Sequence, residues 1–132
     1  MHRPLHAVVM LFGLTAISSC STDTTATFSP DVKLVQNATA SGLPTIAEFG
    51  AETCASCLEM KRVLSSVARR TQGRAHVLII DIGKDSEAAQ EFRIQLMPTQ
   101  VFFGPDGHEI GRHMGKLSEA EVIARLGIST TP

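Results

Sequence analysis

From Leu43 onward the order of apolar and polar positions divides the chain into short, alternating elements. "LPTIAEFG" is a mostly apolar run bounded by Pro and Gly and predicts a buried strand. From Cys54 to about Arg70 the period changes. Leu58, Val63, Leu64 and Val67 fall on one helical stripe, and Arg69 and Arg70 suit the C-terminal end of a helix that Gly73 stops. "AHVLIIDI", Ala75 to Ile82, predicts a second strand, and its continuous apolar run fits a sheet covered on both faces. "DSEAAQEF" predicts a short helix and "TQVFFG" a third strand. "GPDG" has Pro and Asp where a tight turn uses them, and the more polar "HEIGRHM" reads as a fourth strand at an edge. "SEAE", Ser118 to Glu121, is a capping box that opens a last helix ending at Gly127. The order β-α-β-α-β-β-α predicts an α/β fold with a mixed central sheet flanked by helices.

Upstream of Leu43 the pattern is of another kind. Arg3 is followed by an apolar run from Ala7 to Ile17, too short for a bilayer span of about 20 residues but suited to a secretory signal. "ISSC", Ile17 to Cys20, resembles the lipobox of bacterial lipoproteins, in which the cysteine becomes the lipid-bearing first residue. Residues 1–19 are therefore expected to be a lipoprotein-type signal peptide, and Cys20 the lipidation site. An ordinary signal peptide that leaves Cys20 as a spare thiol is the plainer reading. Residues 20–42, rich in Ser, Thr and Ala, are expected to be a lipid-anchored flexible linker, within which "DVKLVQ" could form a short strand or helical turn at the domain edge. Residues 43–132 then form the folded domain. The expected location is the bacterial cell envelope, on a membrane facing the periplasm, where thiols meet oxidising conditions.

The whole chain has 132 residues, enough for one domain, and a formal net charge of −1. That balance gives no electrostatic case for nucleic acid. The candidate chemistry lies in "EFGAETCASC". Two cysteines in the domain, Cys54 and Cys57, do not make the four ligands of a zinc site, and His76, His108 and His113 are scattered, so no metal is expected. A purely structural bridge between them would close a very short loop and add little stability. A working dithiol is the third reading.

A strand, a small turn and C-x-x-C at a helix start, then Met97-Pro98-Thr99 before a strand about 40 residues on, then "GPDGHEIGRHMG", together resemble the thioredoxin family over about residues 43–127. The resemblance implies a thioredoxin-like fold and a thiol–disulfide oxidoreductase of the protein-disulfide reductase type, with no cofactor. Cys54, at the helix N-terminus, is the expected attacking thiolate, and Cys57, one turn in, the resolving thiol. Glu48 stands where the family commonly places a buried acid that exchanges a proton with the second cysteine; a strand-end Glu reaching solvent is the alternative. Pro98 stands where the family carries a cis-proline, and the backbone of Met97 would pair with a substrate chain. The expected partners are protein disulfides, a membrane or periplasmic electron donor, and the membrane through lipid on Cys20; the protein is expected to be a monomer and to act as a reductant. Thr53, Ala55, Ser56 and Leu58 depart from the residues usual around the family's cysteines, which keeps a second reading in view, a non-catalytic binding or assembly lipoprotein.

Overall fold

A computed structural model describes residues 27–129. The proposed signal peptide, Cys20 and the first residues of the proposed linker lie outside that range. The elements run α1 (Pro30–Thr39), β1 (Thr45–Gly50), α2 (Ala55–Arg70), β2 (His76–Asp81), α3 (Ser86–Glu91), β3 (Thr99–Phe103), β4 (Glu109–Met114) and α4 (Glu119–Arg125). The sheet order is β2-β1-β3-β4. β1 runs parallel to β2 and antiparallel to β3, and β3 pairs antiparallel with β4. This is the mixed sheet flanked by helices that the sequence pattern implies.

All six residues of β1 are buried, because helices cover both faces of its side chains. On one face Ile46 and Phe102 pack with Met60, Leu64 and Val67 of α2 and with Val122 and Ile123 of α4. On the other, Ala47, Phe49, Val101 and Phe103 pack with Val32 and Val35 of α1 and Ala88 of α3. The alternation follows the two-residue period of a strand.

One expectation needs correction. Residues 30–39 are not linker. Ser29 caps α1 by accepting a hydrogen bond from the Val32 N–H, Pro30 occupies the first turn, and Val32, Val35 and Ala38 are buried. Three apolar residues at a three-residue spacing are a thin stripe, and the Ser/Thr-rich flank masked it. The folded domain thus begins ahead of Leu43. β2 packs on both faces as its apolar run implies, Val77 against the α2 side and Leu78 and Ile80 against the α1 and α3 side. It sits at the sheet edge, where only Ile80 is fully buried and Ile79 is exposed. An unbroken apolar run does not distinguish a central strand from an edge strand.

Candidate active site

The turn from β1 into α2 builds the site. Cys54 is the N-cap of α2, in extended conformation, and its sulfur accepts a hydrogen bond from the Cys57 backbone N–H at 3.3 Å. Ser56 Oγ lies 3.3 Å from the same sulfur. The first turn of α2 carries no acidic side chain. Unpaired N–H groups and the positive end of the helix dipole therefore face Cys54 without an opposing charge. Cys54 and Cys57 form a disulfide, with Cα atoms 5.2 Å apart. Cys54 is partly exposed, whereas Cys57 is 4% exposed.

Glu48 is the third member. It is 1% exposed, and its Oε1 has no hydrogen-bond partner. Burial pushes its pKa up from 4.5 to about 7; Lys61 pulls it back and Asp81 adds to the rise. The strand-end reading, with the carboxylate in solvent, is thus set aside. Gly50 is what lets Glu48 and Cys57 approach. A Cβ there would lie 2.7 Å from Glu48 Oε1, 2.9 Å from Cys57 Cβ and 3.0 Å from Cys57 Sγ. The carboxylate and the sulfur flank one point, where only hydrogen fits. A cavity of about 190 Å³, lined by Glu48, Cys57, Lys61, Ile79 and Asp81 among others, adjoins both groups. It has room for water.

On the other side of β1, the Met97–Pro98 peptide bond is cis. Phe49 pairs with Thr99, so Pro98 falls beside the end of β1, where the turn to Cys54 begins. The Pro98 carbonyl accepts a hydrogen bond from the Gly115 N–H at 2.8 Å. Gly115 has φ 100°, a left-handed conformation that suits glycine. Pro98 is buried, while Leu96, Met97 and Met114 are exposed around it. The structure thus brings Cys54, Cys57 and Glu48 together and sets Met97–Pro98 alongside; Cys20 lies outside the described residues. Sequence reasoning missed Lys61, Asp81 and the steric role of Gly50. The glycine's position two residues after Glu48, on the same strand face, was the available signal.

A family model for thioredoxin matches residues 20–127. The chain belongs to the thioredoxin family. Thioredoxin-1 of Drosophila melanogaster is 33% identical over 85 residues, which cover 57% of this chain and 79% of that protein. Thioredoxin of Pseudomonas aeruginosa is 30% identical over 83 residues, covering 63% and 76% respectively. The crystal structure of chloroplastic thioredoxin z superposes with a TM-score of 0.66 at 28% identity, covering 73% of this chain and 86% of that one. A thioredoxin with a bonded cysteine pair at the start of α2 is a thiol–disulfide oxidoreductase.

Proposed function

We propose that this thioredoxin is a membrane-tethered reductant of disulfides in exported proteins, with Cys54 as nucleophile, Cys57 as resolving thiol and Glu48 as the proton acceptor for Cys57. The observation that carries the chemical part is the pairing of a donor-rich, partly exposed Cys54 with a buried Cys57 beside a carboxylate titrating about pH 7. In the reduced protein the Cys57 N–H, the Ser56 hydroxyl and the helix end stabilise a Cys54 thiolate. That thiolate attacks one sulfur of the substrate disulfide. A mixed disulfide forms and the other substrate sulfur leaves as thiolate. Cys57 then gives its proton to Glu48, and its thiolate attacks Cys54 Sγ. The Cys54–Cys57 disulfide forms and the second substrate thiolate leaves. The substrate has gained two electrons, and protons reach its thiolates from water. The backbone of Met97, an exposed residue ahead of cis-Pro98, would pair with an extended substrate chain.

The tether rests on the lipobox-like "ISSC", which makes Cys20 the lipid-bearing residue and a membrane-side or periplasmic dithiol the electron donor. Titration of residues 21–132 against a glutathione buffer tests the direction. A potential near about −270 mV supports a reductant, and one near about −120 mV makes it an oxidant instead. A pair that does not cycle sinks the proposed turnover.

A further inference from the structure

Glu48 is not the only stranded polar side chain under α2. Gln100 is 0% exposed, and both Nε2 and Oε1 lack hydrogen-bond partners. It stands directly across from Glu48 in the β1–β3 pairing. Opposed residues of an antiparallel pair project to one face with Cβ atoms about 5 Å apart. The packing identifies that face. Ile46, two residues before Glu48, and Phe102, two after Gln100, both pack against α2. Val101, next to Gln100, packs on the opposite face with α1 and α3.

The other neighbour of Gln100 in this cross-strand row is His113 of β4. Its ring already meets the Lys116 carbonyl at 3.2 Å. On its far side Glu48 pairs with Ile79, which has no polar atom in its side chain. Two orphaned buried groups, adjacent and on one face, leave each other as the available partner.

We propose that Gln100 is a positioning residue for the Glu48 proton: its side-chain amide, which makes no direct hydrogen bond with the Glu48 carboxyl in this structure, partners it through one buried water. An amide suits the task because it carries both a donor and an acceptor. Through that water Nε2–H donates toward the carboxylate, and Oε1 accepts from the side of the carboxylic acid O–H. Gln100 therefore holds Glu48 in place before and after it takes a proton. The charged and titratable groups around Glu48 are Cys57 and Lys61 from α2, Asp81 from β2 and Glu52 from the β1–α2 turn, which all line its cavity. Of these only the reduced Cys57 thiol is neutral, and it is a weak donor and a weak acceptor that serves as the proton source, whereas the amide offers a strong donor and a strong acceptor at once. The inference rests on the proposed proton exchange between Glu48 and Cys57.

Carbon and nitrogen NMR of the labelled full chain tests it without mutation. The Gln100 amide resonances are expected to follow the Glu48 carboxyl through one midpoint near pH 7, and to go flat in Glu48→Gln. In Gln100→Met and Gln100→Leu the Glu48 midpoint is expected to rise by about one unit, because donation to a carboxylate outweighs acceptance from an acid. The pH profile of mixed-disulfide resolution should move with it. Amide resonances that stay flat through the Glu48 titration, or a midpoint unmoved in Gln100→Met, overturn the inference. A moved midpoint with an unmoved resolution profile upholds the Gln100–Glu48 link and refutes proton exchange with Cys57. If Gln100→Leu does not fold, the wild-type titration decides alone.

Discussion

At Glu48 a buried carboxyl competes with its own hydration, and the balance sets a pH dependence for the whole fold. Its folded pKa lies above its ordinary value, at about 7 against 4.5. The folded state therefore binds the proton more tightly than the unfolded chain, and stability falls as pH rises from about 4.5 to 7. Glu48→Gln removes that loss. We expect it to stabilise the oxidised protein by up to about 3 kcal/mol at pH 8 and by little at pH 4, read from urea unfolding. Parallel stability curves for the two proteins would contradict the buried-charge account. Gly50 makes a second demand at the same point. Gly50→Ala should cost about 1–3 kcal/mol through overpacking. It should also lengthen the lifetime of the mixed disulfide, measured by quenching and gel, because the new methyl forces Glu48 or Cys57 aside. Glu48 was legible in the sequence as an acid inside an apolar strand, six residues before Cys54. The demand at Gly50 was not, since it arises from the approach of Cys57 across the turn. Gln100 was hidden for a similar reason: a glutamine in a strand shows no face until its neighbours are assigned.

Among the elements, α1 is where pattern and structure diverge most. Its buried Val32 and Val35 complete the face formed by Ala47, Phe49 and Val101. Val35→Ala should destabilise by about 2 kcal/mol in urea unfolding, as deletion of buried methyls does in other cores. An unchanged midpoint would return residues 30–39 to the status of a tether. The strands and the later helices were legible because each is bounded by its own punctuation. Ser118 and Glu121 form the capping box expected of them, and Asp85 caps α3 by accepting from the Glu87 and Ala88 N–H groups. Gly127 follows α4 at φ 67°. The position of β2 at the sheet edge was not legible. Strand order is a property of pairing between distant segments, and the local run of Val77 to Ile80 reads alike in the middle or at the rim.

For the whole molecule, the proposed lipid on Cys20 sets where the dithiol works. In a bacterial host, Cys20→Ala should move the protein from the membrane fraction to the soluble fraction of the envelope, with the activity of the purified domain unchanged. A variant that stays in the membrane fraction would refute lipid attachment there. The sheet order has a consequence for how the molecule handles its two currencies. The cavity beside Glu48 opens on the β2 side of β1, whereas Met97–Pro98 lies on the β3 side. Under the proposed mechanism, electrons would cross at the surface a substrate covers, and protons would leave by a separate path behind it. A docked substrate need not be lifted for the acid to exchange with bulk water, so the release of a reduced client can be governed by its own grip rather than by the wait for a proton.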